Sequence, residues 1–152
     1  SFKELHVVKM GEMLGRIHNE GVVHGDFSKR NLLFLGTEIT GILDFEYANF
    51  TQNSNNFTFS FIDDLAHATV LLLISYSASY ISYDKRVKYF LQGYLSVIKT
   101  SFLDLDFYKL YQERLVFHSE NEIKNYKYLN PKGNSEKYYD ILNYVKSAKL
   151  GL

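Results

Sequence analysis

Residues 3–19 place Val7, Met10, Met13, Leu14 and Ile17 on one face at helical spacing, and Gly21 stands where such a helix needs a stop. The next stretch, "VVHGDFSKRN" (22–31), mixes two β-branched residues with polar ones and keeps no period, so a loop entered by a very short strand is expected. "LLFLG" and "TEITGILDF" then predict two short strands joined by a tight turn near Gly36 to Glu38. "ANFTQNSNNFTFS" (48–60) reads as a polar, Asn-rich loop, and Ser60-x-x-Asp63 has the spacing of a capping box for a helix starting near Phe61. Further helices are expected over about 84–100, with Val87, Phe90, Leu91, Tyr94, Leu95 and Ile98 inward, and over about 106–118. Residues 119–129 are either a continuation of the latter or a helix of their own. "NPKGNS" breaks the chain, and Tyr138, Ile141, Leu142, Val145 and Ala148 define a last amphipathic helix. The expected fold is α+β and mainly helical, one domain over residues 1–152 with a small β-hairpin inserted after its first helix.

Composition narrows the class. The 152 residues suffice for one domain with a real core, and 46% apolar against 22% charged residues is the balance of a globular protein. The 13 Tyr and 12 Phe imply an interior filled with rings. Seventeen basic residues cancel seventeen acidic ones, so net charge points to neither nucleic acid nor an anionic membrane as partner. Without cysteine there are no disulfides and no thiolate metal sites, which fits a cytoplasmic protein. The most apolar stretch, "LAHATVLLLISYSASYI" (65–81), is broken by His67 and several serines and reads as a buried helix rather than a membrane span. The chain opens at Ser1 directly in a helical pattern, as expected of a fragment or a processed chain.

Chemistry gathers around the hairpin. Asp26 lies in the loop, Asn31 where the first strand begins, and Asp44 at the end of the second. Pairing the strands brings Asn31 and Asp44 to the same end, with Asp26 just ahead. Two acids and an amide oxygen form a hard-oxygen site suited to magnesium with phosphate oxygens and water. A carboxylate beside it that is not a ligand could accept a hydroxyl proton, and phosphoryl transfer asks for little more.

"HGDFSKRNLLF" (24–34) resembles the His-Gly-Asp loop of aminoglycoside phosphotransferases, and "ILDFEYA" (42–48) is similar to the Ile-Asp-Phe-Glu-Tyr segment of choline and ethanolamine kinases. "LGRIHNEGVV" (14–23) looks like the helix leading into that loop, "DDLAH" (63–67) resembles the start of the next helix, and "YFLQGYL" (89–95) is similar to a Gly-Tyr helix further on. The resemblance implies the C-terminal lobe of a protein-kinase-like fold using ATP and Mg2+ to phosphorylate a hydroxyl of a small molecule. By it, Asp26 is the catalytic base, Asn31 and Asp44 are the metal ligands, His24 braces the loop and Asp64 supports it from behind. The position two after the base, a phosphate-touching lysine in many protein kinases, is Ser28 here, with Lys29 next; both fall to the nucleotide side of the site. Glu46 replaces the glycine of protein kinases.

The resemblance also implies an N-terminal lobe with a glycine-rich loop and a lysine on the phosphates. No such glycine cluster is found in these residues, so that lobe is expected in cis or from another chain. Two alternatives stand beside this reading: a non-catalytic binding module on a kinase-like lobe, and an atypical protein kinase of the compact type that also uses His-Gly-Asp.

Blander readings hold elsewhere. The His18/His24 spacing of six is not that of a helical zinc pair, and His6, His67 and His118 have no partner legible in the sequence. The Lys/Tyr alternation of "KNYKYLNPKGNSEKYY" is explained by solvated lysines and buried rings rather than by nucleic acid. Asp104, Asp106, Glu113, Glu120 and Glu122 would suit an acceptor carrying amines, although Asp104 and Asp106 also fit as helix caps.

Overall fold

The computed structural model describes residues 2–50, 57–76, 81–99 and 106–151. In chain order these form α1 (Phe2–Asn19), β1 (Val22–Val23), a 3-10 turn (Lys29–Asn31), β2 (Leu32–Leu35), β3 (Glu38–Ile42), β4 (Asn49–Phe50), α2 (Phe57–Ser75), α3 (Tyr83–Val97), α4 (Phe107–Leu129) and α5 (Glu136–Ser147). The expected mainly helical fold with a small hairpin is there, and α4 runs unbroken through residues 119–129. Two details differ from expectation. A second two-stranded ribbon joins β1 to β4 antiparallel, with Val22 opposite Phe50 and Val23 opposite Asn49. Its outer strand is two exposed residues long, too short for a sequence period to show. And α2 begins four residues before Phe61, so Ser60 lies inside the helix. Asp63 is not a cap there: its carboxylate accepts from Arg114 Nε at 2.7 Å and His118 Nε2 at 2.8 Å on α4. Residues 51–56 of the Asn-rich loop and Asp104 lie outside the described residues.

The helices pack in the order their apolar faces dictate. On α1, Val7, Met10 and Leu14 are buried, with Met13 and Ile17 partly so. Gly21 ends the turn that follows at φ 79°. α1 crosses α3 with backbones touching: a Cβ on Gly11 would stand 2.1 Å from the Phe90 carbonyl oxygen, and one on Gly93 would stand 2.0 Å from that of Val8. The approach puts the next residue, Tyr94, within reach of α1. α2 is apolar nearly all round, with Phe61, Ile62, Leu65, Ala66, Ala68, Val70, Leu72 and Leu73 all buried, and so takes the central place. Even so, no helix among the described residues is long and apolar enough to cross a membrane. α4 and α5 fold back as a hairpin, sealed by Tyr126 stacked on Tyr138 at 4.5 Å between centroids.

One core residue contradicts its own chemistry. Arg86, on α3, is fully buried and has no carboxylate partner among the described residues. Its Nε donates to Ile81 O at 2.9 Å, and its Nη1 donates to Leu73 O at 2.8 Å and Tyr76 O at 2.9 Å. The guanidinium thus satisfies carbonyls that the end of α2 leaves open and meets the negative end of that helix. Arg86→Met is expected to cost at least about 2 kcal/mol in urea unfolding, because buried carbonyls lose their donors. Arg86→Lys should not restore it, since an ammonium lacks the planar fork. A loss below about 0.5 kcal/mol, ordinary for a surface position, would refute this account.

Candidate active site

His24 to Asp26 form the link between β1 and the 3-10 turn, and their conformation is set by backbone and by α2. Gly25 has φ 85°, and a Cβ there would meet the Tyr47 carbonyl oxygen at 2.7 Å. A side chain is therefore doubly disfavoured at the centre of His-Gly-Asp. The Asp26 N–H donates to His24 Nδ1 at 3.1 Å, so that nitrogen carries no proton, and His24 Nε2–H donates to Leu43 O at 3.2 Å. His24 is thereby a fixed tautomer bridging the loop to the chain just after β3.

Behind the loop stands Asp64 of α2, 4% exposed. Its Oδ2 accepts from the His24 N–H at 3.0 Å and from His18 Nε2 at 2.9 Å, and its Oδ1 from the Gly25 N–H at 2.9 Å. The Tyr94 hydroxyl completes the chain by donating to His18 Nδ1 at 2.7 Å. Burial keeps the His18 imidazole below its ordinary value despite the pull of Asp64. For Asp64, burial works to raise the carboxyl, but the hydrogen bond and proximity of His18, with the Gly25 and His24 amides, hold it below its usual range. Neutral His18 with its proton on Nε2 satisfies every partner in this row.

Asp26 faces forward. It is 9% exposed, and Arg30 Nη2 donates to its two oxygens at 3.3 and 3.1 Å. Asn31 Nδ2 donates to the Asp26 backbone oxygen at 2.9 Å and to Oδ2 at 3.2 Å. Asn31 closes the 3-10 turn and Leu32 pairs with Ile42. The Leu43 N–H donates to Asn31 O at 2.7 Å, so Asp44 stands one residue beyond the end of the ladder on Asn31's side. Asp44 is exposed and left-handed, φ 60°, a region that Asp tolerates better than most residues. Asp26, Asn31 and Asp44 thus flank the hairpin at one end rather than sitting on its strands.

The donor set fits a hard cation. Asn31 spends its N–H groups on Asp26, and neither its amide oxygen nor the Asp44 carboxylate takes a hydrogen bond among the described residues. No cluster of three or more His, Cys, Asp or Glu side chains suited to a metal occurs among them, so water and phosphate oxygens would have to complete a shell. Ser28 is buried, with its hydroxyl unpartnered among the described residues. Lys29 lies apart, its ammonium 4.5 Å from the centroid of the Tyr76 ring.

Residues from distant segments join the site. A cleft of about 520 Å³ beside Asp26 is lined by Ser28 and Arg30, by Tyr47, by His67 of α2 and by Glu122 and Tyr138 of α4 and α5. His67 Nε2 is 3.8 Å from Glu122 Oε1, and its ring stacks on His118 at 4.6 Å. His67 and His118, without legible partners in the sequence, therefore have them. These pairings span 55 and 51 residues, and no local spacing announces them. The proximity of Arg30 to Asp26, four residues apart around a turn, was open to inspection but carries no family signal.

Loop and hairpin carry the likeness to known proteins. Residues 12–51 match the family model described as the phosphotransferase enzyme family, APH, the same resemblance that the His-Gly-Asp and Leu-Asp-Phe-Glu segments carry. A "Probable bifunctional tRNA threonylcarbamoyladenosine biosynthesis protein" of Methanosarcina mazei is 30% identical over 88 residues, 58% of this chain and 14% of that protein. A protein of the same description from Methanosarcina acetivorans is 42% identical over 45 residues, 30% of this chain and 8% of its own length. The chain thus spans a small part of either relative. No solved structure matches it.

Proposed function

We propose that residues 1–152 are the C-terminal, acceptor-side lobe of a kinase-like phosphotransferase that moves the γ-phosphate of ATP to a hydroxyl of a small molecule, as aminoglycoside phosphotransferases and choline kinases do. The observation that carries this reading is the convergence of Asp26, Asn31 and Asp44 at one end of the hairpin, with Asp26 opening on a cleft. Asp26 accepts the acceptor hydroxyl's proton as its oxygen attacks. Asn31 fixes the Asp26 carboxylate, and His24 and Asp64 fix the backbone on either side. Asn31 and Asp44 would hold Mg2+, which supplies charge neutralisation to the phosphates when bound. Ser28, whose hydroxyl is buried in the cleft wall, would have to turn outward to meet the transferred phosphate, and Lys29, over Tyr76, would have to swing round to the outer nucleotide phosphates.

A lobe on the far side of the hairpin belongs to the same proposal. Leu35 (73% exposed), Tyr47 (61%) and Phe50 (79%), with Leu33 and Phe45 about half exposed, form apolar surface around the hairpin. Such surface marks a place for a partner. An N-terminal lobe, in cis or from another chain, would cover it and bring the nucleotide's other half-site. Neither nucleic acid nor membrane is needed by this reading, and a cytoplasmic setting suits Mg-ATP.

The test is Mg-ATP binding and hydroxyl-dependent ADP release in the full-length protein. Partners outside a metal's own ligands already carry roughly 10–100-fold in affinity, so Asp44→Ala is expected to weaken Mg-ATP by at least that much. Unchanged affinity would remove Asp44 from the site. A second reading follows the Methanosarcina relatives, whose description places them in tRNA threonylcarbamoyladenosine biosynthesis. On it, this chain serves that modification as an atypical protein kinase or as a binding module. Phosphate transfer to a protein but to no small alcohol would favour the former, and ATP binding without any transfer the latter.

A further inference from the structure

A carboxylate that recognises an ammonium ion cannot already be neutralised by a cation of the protein, and that condition sorts the cleft beside Asp26. Asp26 holds Arg30 at 3.1 Å, and Glu122 lies 3.8 Å from the His67 imidazole. Behind them, Asp63 is taken by Arg114 and His118. Of the acids that suggested an acceptor with amines, Glu122 lines this cleft, whereas Asp106, Glu113 and Glu120 do not, and Glu113 lines a separate depression with Lys109 and Lys146. Ser28 in the wall is 4% exposed, and its hydroxyl is buried and meets no partner among the described residues.

We propose that this cleft takes an uncharged hydroxyl compound, bound beside Asp26, and that the His67–Glu122 and Arg30–Asp26 pairs exclude acceptors carrying an ammonium group. The proposal rests on the phosphotransferase reading and narrows it. Tyr47 and Tyr138 give the cleft ring faces, and Leu71 and Ile74 give it an apolar wall, so the carbon frame of a neutral polyol finds cover without a counter-charge. His67 is the residue that decides. Burial opposes its charge, yet Glu122, with Asp64 and Asp26 beyond, raises the imidazole above its ordinary value. The groups around it are Glu122 and the stacked His118 ring from α4, Asp64 from α2 itself, and Asp26 with its Arg30 from the loop. Tyr138 approaches from α5 along the cleft. With His67 protonated, two cations face two carboxylates at the cleft wall. Removing that proton, or the ring, leaves Glu122 alone.

Choline is a suitable probe, because its quaternary ammonium keeps its charge at every pH, and dimethylbutanol is its neutral isostere. In calorimetric titration of the full-length protein near pH 6, choline is expected to bind no tighter than dimethylbutanol. His67→Gln should tighten choline by about tenfold, a modest share of the Coulomb attraction of an unpaired, half-buried carboxylate, and leave dimethylbutanol unchanged. Adding Glu122→Gln should cancel the gain. In the unsubstituted protein, raising the pH to about 9 should tighten choline in the same direction as the imidazole loses its proton, so the outcome does not depend on the variant folding. Choline binding tenfold tighter than its isostere near pH 6 overturns the proposal. So does the absence of any gain both in His67→Gln and at high pH. None of these readings involves phosphate transfer: a protein that releases no ADP with any alcohol fails the phosphotransferase reading while the charge balance of the cleft is still measured.

Discussion

Asp26→Asn in the full-length protein is expected to lower turnover by roughly 10²–10⁴-fold, the usual worth of a positioned general base, with Mg-ATP affinity close to unchanged. The substitution is nearly isosteric, and the loop around it is held elsewhere: His24 receives the residue-26 amide proton, and Asn31 bonds the residue-26 backbone oxygen as well as its side chain. What is lost is the capacity to take a proton. The amide also no longer neutralises Arg30, whose Nη2 donates to both Asp26 oxygens. Steady-state kinetics and a direct ATP titration on the same preparation separate the two quantities. Turnover within about threefold of wild type would mean that no base acts at this position. Loss of ATP binding would instead make Asp26 a ligand of the metal.

Asp64→Ala is expected to cost about 3 kcal/mol or more of folding stability, because several buried donors lose a charged acceptor at about 1–3 kcal/mol each. Three donors lose their acceptor together: His18 Nε2 and the His24 and Gly25 amides. A loss of that size is a large share of the 5–15 kcal/mol typical of a domain, and urea unfolding of the variant measures it. A cost below about 1 kcal/mol would show that water replaces the carboxylate without penalty. Acid should act through the same residues. The His18 ring sits below its ordinary 6.5 when folded, so on acidification the unfolded chain takes up a proton that the folded one refuses. Stability therefore falls as pH drops below about 6.5 towards the folded value. Asp64, also held below its ordinary 3.8, contributes stability present above that value and lost as pH falls through the folded one. Unfolding free energy that is flat from about pH 7 down to about pH 4.5 would refute the assignment of His18.

Local chemistry was legible in the sequence, and long-range chemistry was not. Helical spacing placed α1 to within a residue and α3 to within three, and found α5, because each buries one stripe against a neighbour. α2 gave its existence but not its start. A helix buried on all sides shows no stripe, and Ser60 and Asp63 imitated a cap while Asp63 was committed to Arg114, 51 residues away. That Asn31 and Asp44 come to one end of the hairpin could be read beforehand, because a hairpin is a local object and the register shift between Leu33 and Phe34 leaves its ends together. The His67–Glu122 pair and the Arg86 cradle could not: each needs the packing of helices whose contact no spacing reveals. Arg86 was also hidden by its own charge, since an inward pattern is read from apolar residues and the true burial includes a guanidinium.

The bond between Asp64 and two loop amides also fixes when the loop comes together. His24 and Gly25 give their N–H groups to a side chain 40 and 39 residues further along, not to the strand beside them. Fraying of the β1–β4 ribbon leaves both protons sheltered from solvent; undocking of α2 exposes them. The loop therefore opens and closes with the helical unit rather than with the strands that border it. Closing a contact of that span costs more chain entropy than closing the turn of a hairpin, so the hairpin can form first and wait for α2 to arrive before the loop is set.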